Sequence, residues 1–161
     1  IAASRAYVSP TINVRALEFD PERFAPRIQG LRDAGAQFIT STDSGIDNVP
    51  HYGFAQSLPI YVEFGLTIEE TLRAATVVAA EALGLAEVTG RLEPGLEADL
   101  IAVGGNPLTD IAAVNDLRYV VTRGSRFVPD PVPEIEPLPD DYVPITAQHK
   151  VVLFDREDSD G

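Results

Sequence analysis

Two side chains suited to hydrolytic chemistry lie in residues 37–53, which read QFITSTDSGIDNVPHYG. Asp43 follows a short apolar and β-branched run, and His51 comes eight positions later. A carboxylate at the mouth of a strand can bind a divalent cation, and it can take a proton from a metal-bound water. The sequence Asp-Ser-Gly is equally typical of a plain turn, because all three residues favour turns. From the local sequence alone, both interpretations of Asp43 stay open.

His51 has a narrower range of roles. It lies too far along the chain from Asp43 for the two to bind one ion from a single element. The ordinary alternative is a histidine in a surface loop.

Composition excludes several classes of function. The chain has 161 residues, the size of one domain, and its net charge of −13 would repel a phosphate backbone, so nucleic acid is not an expected partner. The absence of cysteine excludes disulfides, thiolate catalysis and thiolate-bound metal. No apolar run approaches the roughly 20 residues that span a bilayer. The single lysine, Lys150, lies in the C-terminal tail.

The first elements to position Asp43 are a predicted helix over residues 21–34 and a strand over residues 36–42. Asp20 is suited to cap the helix and Pro21 to begin it. Gly35 is suited to end it. Apolar residues three to four apart predict one buried stripe on this helix: Phe24, Ile28 and Leu31.

A second helical segment begins at a capping box, Thr67 to Glu70, and runs to Gly84. The β-branched run of residues 76–78 suggests a break into a second short helix. The predicted apolar stripe consists of Ile68, Leu72, Ala75, Ala79 and Leu83.

Beyond Gly90 the pattern changes to short strands. The run DLIAV and the segment LRYVVTRGSRFV predict a small sheet, with a hairpin turn at Arg123 and Gly124. Asp99 is predicted to cap a turn in this sheet. From Pro129 the chain is rich in proline and acidic, which predicts an extended arm. Residues 149–155, HKVVLFD, are suited to add a strand to the sheet.

Several of these motifs, in this order, resemble the amidohydrolase superfamily in its imidazolonepropionase-like and prolidase-like branch. They are VSPT, FITSTDSG, LTIEETLRAATVVAAEALGL, GRLEPGLEADLIAVGGNPLTDI and VVTRG, and the resemblance covers residues 1–128. It implies an α/β fold formed by the C-terminal part of a larger protein. Residues 1–88 would be the last βα units of a (β/α)8 TIM-type barrel, with strands seven and eight. Residues 89–128 would be part of a small β-sandwich domain, and residues 129–161 the arm.

The resemblance also implies a function. Such enzymes hydrolyse an amide, a cyclic amide or a dipeptide C–N bond with metal-activated water. Asp43 matches the family's metal ligand and general acid/base, and His51 matches a loop histidine that faces the substrate. The cofactor would be a divalent metal, zinc in particular, as one or two ions. The other ligands cannot come from this chain, whose histidines are His51 and His149, so a missing N-terminal barrel portion is expected in the same or another chain.

A second hypothesis belongs to another class. The chain could be a non-catalytic interaction or oligomerisation module derived from an amidohydrolase, with the acidic arm packed along a neighbouring subunit. The partners expected under the first hypothesis are a small-molecule or dipeptide substrate and further copies in a homo-oligomer. No signal peptide is visible in these residues, and a cytoplasmic location is expected.

Overall fold

The computed structural model of the chain describes residues 6–18, 21–131, 133 and 135. These residues form a mixed α/β fold with four helices, a pair of parallel strands and a three-stranded antiparallel sheet. The helices are α1 (Pro21–Asp33), α2 (Phe54–Glu63), α3 (Ile68–Ala75) and α4 (Val77–Ala82). The strands are β1 (Tyr7–Val8), β2 (Gln37–Phe38), β3 (Leu100–Val103), β4 (Leu117–Thr122) and β5 (Ser125–Phe127).

Some predictions concern residues outside this description. The cap at Asp20 and the extra strand over residues 149–155 are among them, as is most of the arm. Among the described residues, no helix is both long enough and apolar enough to cross a membrane.

Helix α1 confirms the predicted helix and its buried stripe. Ile28 is buried, with Phe24 and Leu31 packed against the same core. Pro26 lies inside the helix as its sixth residue, where proline removes one hydrogen bond between a backbone N–H and the carbonyl four residues earlier. Gly35 ends the segment with a φ of 74°, the left-handed conformation that favours glycine at this position.

Strands β1 and β2 are parallel neighbours, although β2 is shorter than the predicted strand over residues 36–42. Tyr7 pairs with Gln37 and Val8 with Phe38, and the N–H of Ile39 continues the pairing to the carbonyl of Val8 at 3.0 Å. Regular pairing stops before Ser41 because a tyrosine side chain takes both of its backbone groups. The shorter strand therefore reflects a side-chain contact that local propensity does not encode.

Helix α2 joins the two cores of the described chain. Ile60, Tyr61 and Phe64, at its C-terminal end, belong to the larger core beneath β1, β2 and α1. Leu58 belongs to a smaller cluster with Ile111 and Val114. Because one helix serves both cores, it fixes the strand pair relative to the segment that precedes β4.

Helix α3 begins at the predicted capping box. The hydroxyl of Thr67 accepts from the Glu70 N–H at 3.1 Å, and the Glu70 carboxylate accepts from the Thr67 N–H at 2.7 Å. Arg32 of α1 also donates to Glu70 at 2.9 Å. Partial burial raises the pKa of Glu70, but the hydrogen bonds from Thr67 and Arg32 outweigh it and hold the pKa below its ordinary value.

The predicted break between two short helices is confirmed, and it changes which residues of the second are buried. Thr76 separates α3 from α4 with φ −130° and ψ −95°. Ala80 is consequently the buried residue of α4, whereas Leu83 is 70% exposed. Including Leu83 in one continuous stripe was wrong, because the break shifts the phase of the helical pattern.

The small sheet has the order β3-β4-β5 and contains the predicted hairpin. Arg123 and Gly124 form its turn with φ of 47° and 77°, as in the tight turns that suit twisted strands. Asp99 is confirmed as a structural residue. Its carboxylate accepts from the Arg123 N–H at 2.8 Å and from the hydroxyls of Thr89 and Thr122.

Candidate functional site

Asp43 follows the C-terminal end of β2 by five residues, and its neighbours Ser41 and Thr42 contact residues that follow β1. Its side chain is exposed, and its backbone adopts a left-handed φ of 54°. Thr11, which follows β1, has a φ of 53°. Non-glycine residues in this conformation are uncommon, although aspartate, like asparagine, tolerates it better than most, and such residues are frequent at functional sites. The segments that follow β1 and β2 therefore each contain a residue whose backbone conformation is uncommon. We refer to these two segments, residues 9–13 and 41–44, as this edge of the strand pair.

Short polar side chains connect the two strand ends. The hydroxyls of Ser9 and Ser41 are hydrogen-bonded to each other, and Ser41 also donates to the Thr11 hydroxyl at 3.3 Å. On either side of Asp43, the hydroxyls of Thr42 and Ser44 lie 2.6 Å apart. These contacts hold residues 41–44 together, while Asp43 itself is exposed.

The loop after Asp43 folds back and brings His51 close to Gly45. The N–H of Gly45 donates to the carbonyl of Val49 at 2.9 Å, and Val49 is only 3% exposed, so this buried residue fixes the turn. A methyl group built on Gly45 would lie 3.7 Å from Nε2 of His51. The structure thus places His51 within contact distance of a residue two positions from Asp43, at the start of the 3-10 helix His51–Gly53.

Two positioning side chains of this edge were missed by the sequence reasoning. Tyr61 of α2, with no exposed surface, donates its hydroxyl to the Ser41 carbonyl at 2.7 Å. Asn13, also buried, donates its side-chain amide to the Thr42 carbonyl at 2.7 Å. The sequence features that could have indicated these two residues were a tyrosine inside an apolar helical run, for Tyr61, and an amide side chain shortly after VSPT, for Asn13.

Ile135 of the C-terminal arm also reaches this loop. A methyl group built on Gly53 would lie 3.2 Å from Cδ1 of Ile135. A side chain at position 53 would therefore crowd Ile135, and glycine leaves room for it. The arm residue contacts the 3-10 helix that carries His51.

The remaining polar residues considered at this loop are accounted for by loop structure. Asp47 and Tyr52 are exposed, and Asn48 adopts a φ of 59°, which asparagine tolerates better than most residues. Arg5 lies outside the described residues.

The described residues do not make a metal site by themselves. No group of three or more histidine, aspartate or glutamate side chains within this part of the chain could hold an ion, whereas a protein zinc site uses three or four protein ligands. Asp43 can therefore supply at most one part of such a site. A complete set of ligands would have to include residues beyond the described ones.

Comparisons with known proteins add to this geometry. The model of the amidohydrolase family matches residues 3–126. The imidazolonepropionase of Agrobacterium fabrum is 40% identical over 79 residues, which are 48% of this chain and 19% of that protein. The chain spans about a fifth of the length of this curated relative.

Two solved structures are similar to the chain in fold. A prolidase complexed with N-methylphosphonate-L-proline has a TM-score of 0.66 at 27% identity, over 80% of this chain and 36% of that chain. A Xaa-Pro dipeptidase with methionine bound in its active site has a TM-score of 0.58 at 27% identity, over 65% and 25% of the two chains.

Proposed function

Because the chain belongs to the amidohydrolase family, we propose that it is the C-terminal part of a metal-dependent hydrolase. The whole enzyme would hydrolyse an amide, a cyclic amide or a dipeptide C–N bond. The observation that carries this proposal is the placement of Asp43, an exposed carboxylate with a left-handed backbone in the loop that follows the C-terminal end of β2. Barrel enzymes build their active sites at that end of the strands.

The proposed roles follow from the chemistry of this edge. A divalent metal, zinc in particular, would supply a bound water of lowered pKa. Asp43 would contribute one ligand, while its carboxylate accepts the proton of the attacking water and returns it to the leaving nitrogen. His51, on the adjoining loop, would face the substrate.

The substrate class is proposed from the relatives together with the site. The chain is similar to an imidazolonepropionase, a prolidase and a Xaa-Pro dipeptidase. All three are hydrolases of C–N bonds. Shared fold does not by itself transfer a substrate. A barrel portion outside this chain, and further copies in an oligomer, complete the proposed enzyme.

The first test is the intact mass of the freshly purified protein under denaturing conditions. A species well above 17.3 kDa, the mass of these 161 residues, or a second chain that co-purifies, is expected. A single species at that mass without a partner would contradict the catalytic proposal and favour the interaction module.

The second test is Asp43→Asn in that intact protein. The substitution preserves the size of the side chain but removes the carboxylate that would bind the metal and transfer the proton. Hydrolysis of a proline dipeptide such as methionyl-proline should therefore be abolished. Asp47→Asn, an exposed aspartate in the same loop, is the matched control and should retain activity. Equal activity of Asp43→Asn and Asp47→Asn would contradict the role of Asp43.

A further inference from the structure

The hydroxyl of Tyr61 forms hydrogen bonds with the segments that follow both β1 and β2. It accepts from the Ser41 N–H at 2.8 Å and from the Ile12 N–H at 3.3 Å, and it donates to the Ser41 carbonyl at 2.7 Å. One donor and two acceptor positions are all that a phenol offers. The hydroxyl is therefore fully used by the backbone of residues that follow β1 and β2.

Packing alone does not require this hydroxyl. Tyr61 lies in an otherwise apolar part of the larger core, with Ile60, Phe64 and Leu66. A phenylalanine ring would fill the same space, but it would leave the backbone groups of Ser41 and Ile12 without this hydrogen-bond partner. The same burial raises the pKa of the Tyr61 phenol, so it remains a neutral donor.

Asn13 holds the next residue in the same way. Its Nδ2 donates to the carbonyl of Thr42 at 2.7 Å, while its Oδ1 accepts from the Arg15 N–H at 2.9 Å. The two carbonyls that immediately precede Asp43, those of Ser41 and Thr42, are thus each fixed by a buried side chain from elsewhere in the chain. Asp43, with its left-handed backbone, directly follows these two fixed residues.

We propose that Tyr61 is a positioning residue, which with Asn13 aims the Asp43 carboxylate by fixing the backbone of Ser41 and Thr42. This inference rests on the proposed function, because it assigns Tyr61 an effect on catalysis exerted through Asp43. Tyr61 itself is buried and does not touch the substrate. A catalytic carboxylate displaced by an ångström can lose on the order of 100-fold in rate, so loss of the hydroxyl should affect turnover more than binding.

The test is Tyr61→Phe in the intact protein, with Thr71→Val as the matched control. Both residues are fully buried, but the hydroxyl of Thr71 donates to the carbonyl of Thr67 at 3.0 Å, one turn earlier in the same helical segment and not at the strand ends. With methionyl-proline as probe, Tyr61→Phe should lower kcat roughly 10- to 100-fold, with KM changed less than about twofold, the signature of a lost transition-state interaction. Thr71→Val should keep the wild-type kcat.

A second measurement does not depend on activity. Hydrogen exchange at the Ser41 amide, which donates to Tyr61, should become faster in Tyr61→Phe and stay unchanged in Thr71→Val. Wild-type kcat in Tyr61→Phe, or equal losses of kcat in the two variants, would overturn the positioning role. Unchanged exchange at Ser41 would overturn the contact on which it depends.

The variant Asp43→Asn, assayed in parallel, separates this inference from the proposed function. If Asp43→Asn retains hydrolysis, the proposed function is wrong. If Asp43→Asn abolishes hydrolysis while Tyr61→Phe turns over normally, the positioning role alone is wrong.

Discussion

Replacing Gly90 by alanine should destabilise the chain strongly, because this glycine allows the segment before the small sheet to pack on α4. Its φ is 99°, and a methyl group built on it would lie 2.5 Å from Cβ of Ala80 and 3.3 Å from the Thr76 carbonyl oxygen. Both neighbours belong to α4 or its N-terminal boundary. Neither a backbone atom nor a Cβ can move without shifting the helix.

The expected magnitude follows from three contributions. Backbone strain at this φ costs about 1–3 kcal/mol, and an added methyl in a filled space costs about 1–3 kcal/mol more. The smaller conformational entropy of alanine in the unfolded chain offsets about 0.4–1 kcal/mol. The net loss is about 2–5 kcal/mol, a large part of the roughly 5–15 kcal/mol that stabilises a typical domain.

Urea denaturation followed by far-UV circular dichroism measures this loss, and Gly95→Ala is the matched control. Gly95 has nearly the same φ, 98°, but nothing lies within 4 Å of a methyl built on it. Gly95→Ala should therefore show the strain without the overlap, so that Gly90→Ala is less stable by about 1–3 kcal/mol. Equal free energies of unfolding for the two variants would refute the packing contribution assigned to Gly90.

Two further predictions concern the capping box and the small sheet. Thr67→Ala should lower the free energy of unfolding by about 0.5–2 kcal/mol, because it removes the capping hydroxyl. Thr67→Ser keeps the hydroxyl and should retain most of the wild-type stability. A Thr67→Ser variant as unstable as Thr67→Ala in urea denaturation would contradict the role of the cap. Asp99→Asn should lower Tm at neutral pH, because the Arg123 N–H, then Thr89 and Thr122, hold the pKa of Asp99 below its ordinary value of 3.8. When the pKa of a carboxyl group is lower in the folded state than in the unfolded state, its ionised form stabilises the fold at pH values above the unfolded-state pKa. This stability is lost as the pH falls through the folded-state pKa. The Tm difference from wild type should therefore shrink below about pH 4, and a constant difference from pH 7 to pH 2.5 would contradict this assignment.

The parts of the fold that could be predicted are those encoded by neighbouring residues. The capping box at Thr67 needs only the residue three positions on, and the hairpin turn at Arg123 and Gly124 needs two adjacent residues that tolerate positive φ. The stripe of α1 repeats within one helix. Each signal acts over a few positions, so the sequence displays it directly.

The parts that could not be predicted depend on residues far apart in the chain. Tyr61 meets Ser41 across 20 positions and Ile12 across 49, and no local pattern indicates which backbone groups a buried phenol will find. These contacts end β2 early, which propensity could not foresee. The return of His51 to Gly45 likewise depends on the burial of Val49, which the spacing of residues in this loop does not indicate.

The energetics of residues 11–13 and 41–44 bear on the choice between an enzyme and an interaction module. Left-handed conformations at Thr11 and Asp43 cost about 1–3 kcal/mol each, and the fold uses buried polar groups of Tyr61 and Asn13 to hold the adjoining backbone. A surface that only bound a partner through its arm or its strand edges would gain nothing from this expense, since glycine at position 43 would adopt the same backbone freely. The proposed catalytic role of Asp43 would account for the arrangement, because glycine could not supply its carboxylate.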